Sequence, residues 1–331
     1  RSEALPLGRG LRKDYIMHKV YLKPGKEDSL KRFHPWIFSG AIARFDGEPD
    51  EGEVVEVYTS KKEFIAEGIN EAGLSAGLFF FPHYGGYKTY DAAQNQRTLA
   101  DLQVTEWLLS QFSTIDEVKA ALSSVRVVGL EKTAVVHWRI GEPSGRQVVL
   151  EIVGGVPHFY ENEVGVLTNA PGFEWQLTNL NNYVNLHPGD ASVQKLSGIT
   201  LQPTGGNSGF LGIPGDATPP SRFVRAAFYR GTAPQRATGF DTVQQCFHLL
   251  NNFDIPIGIE HSQGDIPDIP SATQWTSAID LTNRKVYYKT AYNNSIRCID
   301  LKAIDFSKVK YQSQPLDKIQ EQPVEMVKIP R

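Results

Sequence analysis

The chain has 331 residues, 40% of them hydrophobic, which is enough for one large core or two smaller ones. Its net charge of −3 gives no global basic footprint for nucleic acid, and its two cysteines exclude a disulfide framework or a cysteine-based zinc cluster. No run of about 18 apolar residues argues for a transmembrane helix, and residues 1–20 show no apolar core of a secretory signal. The expected location is cytoplasmic, or periplasmic if a signal peptide has been removed.

Residues 1–34 carry nine Lys or Arg against four Asp or Glu, so this lead is either a solvated terminus or a local patch for RNA. Strand patterns follow at 19–22 and 53–58, and residues 59–62 turn the chain into 63–66. Residues 71–82 read as an apolar strand holding Gly73 and Gly77, and 99–112 as a helix with Leu99, Leu102, Trp107, Leu108 and Phe112 on one side. Thr114 and Glu117 have capping-box spacing for a second helix. Strands at 133–140 and 147–153 meet at a turn over 142–145, forming a hairpin. Residues 156–160 and 165–168 extend it as an antiparallel meander that delivers Asn169 to a strand end.

Asn169 is open to two readings. Its amide could point from the sheet end toward a ligand, or it could shape the turn before Pro171 and Gly172. Phe173, Leu177, Leu180 and Val184 then mark an amphipathic helix. The glycine-rich run 205–216 reads as a long adaptable loop, and it lacks the Lys-Ser or Lys-Thr ending of a phosphate-binding loop. Thr218 and Pro219 open another helix and put Arg222 in its first turn. The helix dipole disfavours a cation there, so Arg222 either meets an anionic partner or is simply hydrated at the surface.

Phe240, Val243, Phe247 and Leu250 form a further helical stripe with Cys246 beside it, read as core. Three closing strands at 278–281, 285–290 and 295–301 place Cys298 among apolar neighbours, also read as buried. The tail after Lys308 is a peripheral arm. The eight histidines are scattered without a His-Glu-x-x-His run, so no metal or other cofactor is expected and each histidine reads as surface or satisfied core. There is no Gly-x-Ser-x-Gly elbow for a serine hydrolase, and Ser208 has the wrong spacing.

Two segments resemble known families. Residues 19–68, centred on 32–41 with His34, Pro35, Trp36 and Gly40, resemble the RNA-binding PUA domain of large-subunit rRNA methyltransferases. The closing barrel strands do not follow Gly68, and no methyltransferase domain appears later. Residues 69–305 resemble the choloylglycine hydrolases, which comprise bile-salt hydrolases and penicillin V acylases. Four segments carry that match in order: 68–74, 166–184, 211–223 and 273–277.

This second resemblance implies an α+β fold, the N-terminal-nucleophile hydrolase αββα sandwich of two antiparallel sheets. It implies hydrolysis of linear amides by an N-terminal cysteine whose own α-amine handles the proton, through a covalent acyl-enzyme. It makes Asn169 an oxyanion donor and Arg222 a member of the catalytic cluster, with Phe80 at a substrate-binding position. A homotetramer and a small-molecule amide substrate are implied as well, and no membrane partner. The family's nucleophile and its Arg-Asp run should lie ahead of Gly68, where the PUA-like segment stands, and neither is found. The expected division is therefore 1–68, a truncated PUA-like unit, and 69–331, a hydrolase-like domain impaired in turnover. The alternative is a non-catalytic chimera whose N-terminal segment binds RNA.

Overall fold

The computed structural model describes residues 19–22, 42–46, 56–58, 67–70, 72–129, 135–259, 272–309 and 315–329. The basic segment contributes β1 (Lys19–Leu22), β2 (Ile42–Asp46) and β3 (Glu56–Tyr58). They form a small sheet in the order β2-β1-β3, with β1 antiparallel to β2 and parallel to β3. Both strands expected there are found. The 32–41 run and residues 59–66 lie outside the described residues.

Next along the chain come β4 (Glu67–Ile69), β5 (Ser75–Phe80), β6 (Thr98–Ala100), α1 (Val104–Gln111), α2 (Ile115–Leu122) and β7 (Arg126–Val128). β8 (Val136–Gly141), β9 (Gln147–Val153), β10 (Val156–Glu161) and α3 (Phe173–Asn179) follow. The remainder holds β11 (Gln194–Leu196), β12 (Ile199–Leu201), α4 (Pro219–Thr232) and α5 (Gly239–Leu250). It closes with β13 (Trp275–Asp280), β14 (Lys285–Thr290) and β15 (Arg297–Asp300).

Two antiparallel sheets dominate, as expected: β10-β9-β8-β5-β4 and β13-β14-β15. In the larger sheet the register sets Leu78 opposite Trp138, Trp138 opposite Leu150 and Ile140 opposite Val148. These cross-strand pairs form one dry face. It closes against Val104 and Leu108 of α1 and Ile115, Val118 and Leu122 of α2. The opposite face buries Val149 with Val166, Phe173 of α3, and Phe223 and Ala227 of α4. With helices on both sides, β8 and β9 are buried at odd and even positions alike, so that the polar His137 and Glu151 lie inside together with the apolar residues. Gly73 takes φ +94° at the entry to β5, where a β-carbon would lie 2.6 Å from Pro143 Cγ. The smaller sheet packs on α5 through Val243, Phe247 and Tyr287.

Several expectations need correcting. Leu99 belongs to β6, paired in parallel with Val127 of β7, so the helix foreseen from 99 starts at Val104; a tertiary strand pairing outweighs local helical spacing there. The stripe Phe173, Leu177, Leu180, Val184 is not one buried face. The helix tightens into a 3-10 turn over Leu180–Tyr183, and Val184 is exposed. Residues 165–168 join no ladder. Cys298 is exposed on β15, the outermost strand of its sheet among the described residues, where Ile299 is exposed as well, and Cys246 is half-buried. Part of the tail is anchored: Asp317 pairs with Arg297, and Leu316 O accepts from the Tyr288 hydroxyl at 3.3 Å. Among the described residues no helix is long and apolar enough to cross a membrane.

Candidate functional site

The site grows from the connection between β10 and α3. Asn162 turns the chain by donating its side-chain amide to Val166 O at 3.2 Å. Gly165 follows with φ +62°, and a β-carbon there would sit 2.5 Å from the Arg230 guanidinium. The chain then runs to Thr168, whose hydroxyl donates to Pro219 O at 3.1 Å and so ties it to the start of α4. Its backbone carbonyl bonds a side chain instead of a neighbouring strand: Thr168 O accepts from His137 Nε2 at 2.8 Å.

Asn169 follows at once, half-buried, with both ends of its carboxamide fixed. Its Oδ1 accepts from Arg222 Nη2 at 2.7 Å, and its Nδ2 donates to Phe80 O at 2.8 Å. These two bonds assign the amide orientation, since the oxygen must face the guanidinium and the nitrogen the carbonyl. Nδ2 has two protons, and Phe80 O takes one of them. All three residues named from the sequence thus converge on one point, although Phe80 enters through its backbone, with its ring exposed at the end of β5.

Arg222 is placed by the N-terminus of α4. Thr218 is the cap residue and Pro219 follows it, as expected, but the threonine hydroxyl makes no bond to the helix backbone. It donates instead to Asp216 Oδ1 at 2.5 Å, while the Ser221 hydroxyl donates to Asp216 Oδ2 at 2.6 Å. The Ser221 and Thr218 hydroxyls hold the Asp216 carboxyl down at about 2. Arg222 Nε donates to Ala217 O at 2.9 Å, within the same loop. The buried Arg225, one turn further on, donates from Nη1 to Pro214 O at 2.7 Å and to Asp216 O at 2.8 Å. Its guanidinium carbon lies 5.4 Å from the centre of the Phe253 ring, a cation–π distance. The loop that positions Arg222 is therefore itself held by Arg225.

Sequence reasoning missed Arg225, His137 and Glu151. His137 and Glu151 are buried polar residues on β8 and β9, and a titratable side chain flanked on both sides by strand-forming apolar residues was the available signal. Neither cysteine lies on the elements that build this connection. Cys246 is on α5, where burial pushes its thiol up against the opposing effect of Arg230. Cys298 is on β15. Among the described residues no group of three or more His, Cys, Asp or Glu could hold a metal ion.

Residues 53–314 match the model of linear amide C-N hydrolases, choloylglycine hydrolase family, and residues 20–72 match a PUA-like domain. A bile salt hydrolase/transferase of Clostridium perfringens is 33% identical over 242 residues, 72% of each chain. A penicillin V acylase of Pectobacterium atrosepticum is 28% identical over 310 residues, 82% of this chain and 74% of that one. The crystal structure of a mutant conjugated bile acid hydrolase from Clostridium perfringens superposes with a TM-score of 0.68 at 30% identity, covering 80% of both chains. These likenesses fit the α+β arrangement of N-terminal-nucleophile hydrolases to the sheets described above. With a family match over most of its length, this chain belongs to the choloylglycine hydrolases, a family of linear amide C-N hydrolases.

Proposed function

We propose that the domain over 69–331 takes a linear amide, a conjugated bile acid or a penicillin V-like acyl amide, at Asn169 and Arg222, and that turnover in this chain is impaired. The observation that carries the reading is the doubly held Asn169 carboxamide, with Oδ1 on Arg222 at 2.7 Å and Nδ2 on Phe80 O at 2.8 Å. A donor fixed before the reaction is what a developing oxyanion requires, because no reorganisation is needed as charge appears. Arg222 polarises that amide through its oxygen. Phe80 presents an exposed aromatic ring beside it for the acyl part of the substrate.

The impairment follows from the cysteines. The family's chemistry needs a thiol and a free α-amine on the same residue. Cys246 and Cys298 are peptide-bonded within a helix and a strand. The stretch ahead of Gly68, where the family resemblance expects the nucleophile, overlaps the PUA-like match over 20–72. The test is to incubate the purified chain with glycine- and taurine-conjugated bile acids and with penicillin V, following binding by calorimetry and amine release by assay. Saturable binding that is lost in Asn169→Ala and Arg222→Ala, without amine release above background, is the expected result. Thiol-sensitive turnover overturns the impairment, and absence of binding overturns the site.

Two partner readings accompany this one. The PUA-like match favours contact of the basic N-terminal segment with RNA. Salt-dependent retention of structured RNA that is lost in Lys31→Ala/Arg32→Ala supports it, and indifference to RNA removes it. The β11–β12 hairpin exposes Val193, Leu196, Ile199 and Leu201, which supports the homotetramer and is read by light scattering.

A further inference from the structure

We propose that His137 and Glu151 form a proton-sharing brace that positions Asn169 for its ligand. The two side chains lie on adjacent strands of the larger sheet, 0% and 4% exposed, with Nδ1 of His137 3.2 Å from Oε1 of Glu151. The brace grips the Asn169 segment at both ends. His137 Nε2 reaches Thr168 O at 2.8 Å, one residue before Asn169. Glu151 Oε1 accepts from Phe173 N at 2.8 Å, where α3 begins. Between the two grips Gly172 passes so close that a β-carbon would lie 3.2 Å from Glu151 Oε2. The imidazole is also stacked on the Phe81 ring, with centroids 4.2 Å apart and planes 8° from parallel. Phe81 directly follows Phe80, whose carbonyl takes the Asn169 amide. The pair therefore bonds the backbone on both sides of Asn169 and packs beside the strand end that supplies Phe80 O.

Counting hydrogens fixes the state of the brace. A carbonyl oxygen can only accept, so Nε2 bears a proton. Oε1 already accepts the Phe173 N–H. With Nε2 protonated, a neutral imidazole and a carboxylate would set two lone pairs against each other across 3.2 Å in a dry interior. One proton must lie between Nδ1 and Oε1, so the pair holds one proton more than a neutral imidazole and a carboxylate. Gln at 151 could accept both bonds only beside a cationic imidazole, and it brings no carboxylate charge to balance that cation in a dry interior. The brace is a positioning device that acts through Asn169, and its role in binding rests on the ligand reading of that residue.

The experiment is proton and nitrogen NMR on the full chain labelled at histidine and asparagine. The wild type should show a downfield, solvent-shielded proton coupled to His137 Nδ1, absent in Glu151→Gln. In both Glu151→Gln and His137→Gln the side-chain amide signals of Asn169 should shift, and affinity for a taurine-conjugated bile acid should fall about tenfold, the equivalent of one lost hydrogen bond. A wild type without the shielded proton, or Asn169 signals unmoved in both variants, overturns the proposal. Should His137→Gln not fold, the wild-type spectrum and Glu151→Gln still decide it. A wild type that binds none of the amides overturns the ligand reading of Asn169, whereas the amide signals test the positioning separately.

Discussion

The five-stranded and three-stranded sheets bury their residues differently. In the larger, β8 and β9 lie under α1 and α2 on one face and under α3 and α4 on the other, so nearly every position is buried. In the smaller, β13 is half-exposed along its whole length, and β14 buries only Tyr287 and Thr290. α5 covers part of it, and the docked tail adds polar contacts through Asp317, Leu316 and Gln322. The candidate site hangs on the well-buried sheet. The segment that carries Asn169 is bonded at Thr168 O by His137 of β8 and at Phe173 N by Glu151 of β9, and rigid supporting elements of this kind are what give a preorganised donor its precision.

That contrast can be broken most severely by emptying the larger core. Trp138 is fully buried at the centre of the sheet, opposite both Leu78 and Leu150. Trp138→Ala should cost about 3–5 kcal/mol through lost transfer energy and the cavity left behind. A truncation in the smaller cluster, Val243→Ala, removes less volume from a less deeply buried site and should cost about 1–2 kcal/mol. Urea unfolding of both variants measures the difference, and equal losses would mean that the two sheets share one core.

A second test sharpens the account of the smaller sheet. Arg297 pairs with Asp317 of the tail, donates to Thr290 Oγ1 at 3.3 Å, and lies 4.7 Å from the centre of the Tyr288 ring. The pair is only partly solvated, with Asp317 7% exposed. Arg297→Ala should therefore cost about 1.5–3 kcal/mol, as expected for a hydrogen bond to a charged partner. Amide exchange should accelerate at 315–322 and along β15, and leave β8 and β9 protected. Acceleration in the larger sheet as well would contradict the separation of the two.

How much of this was legible in the sequence varied with the range of the interaction. Elements set by local chemistry could be read directly. The β8–β9 hairpin was visible in the turn at 142–145, where Gly145 takes φ +91°, and α4 in Thr218 and Pro219. Features set by register were not. Leu99 looks helical until Val127 pairs with it. Residues 165–168 look like a ladder strand, yet their carbonyls at Val166 and Thr168 are taken by the side chains of Asn162 and His137. Asn169, Arg222 and Phe80 were named through family resemblance, and only the fold shows that they meet. The His137–Glu151 contact depends on two strands lying side by side, which spacing within either strand does not reveal.

A smaller effect tests a locally encoded element on the larger sheet. Thr114 and Glu117 form the expected capping box at the start of α2. Thr114 Oγ1 accepts from Glu117 N at 3.3 Å, and Glu117 Oε2 accepts from Thr114 N at 3.1 Å. Thr114→Ala should lower stability by about 1 kcal/mol. Because α2 supplies Ile115, Val118 and Leu122 to the large core, the loss should appear as a shift of the same unfolding midpoint that Trp138→Ala moves. A separate early transition would show instead that α2 frays on its own.

The smallest effect lies at the rim of the same sheet and depends on pH. Glu161, at the end of edge strand β10, accepts from Arg146 Nη2 at 2.8 Å and Nε at 3.1 Å, and from Lys119 Nζ of α2 at 2.7 Å. The Arg146 and Lys119 cations hold its carboxyl down at about 2. A carboxyl depressed in the folded state binds its proton less readily there than in the unfolded chain. Its contribution is therefore complete above the ordinary glutamate value of about 4.3 and is lost as pH falls toward about 2. The gap between the wild type and Glu161→Gln should be widest near neutrality and vanish by about pH 2. Glu161 is 48% exposed, so solvent screens the network; the gap should stay below that of Thr114→Ala and narrow further in high salt. A gap that persisted at low pH would assign the effect to packing of the glutamate stem against Phe159, over whose ring Lys119 also lies at 5.7 Å.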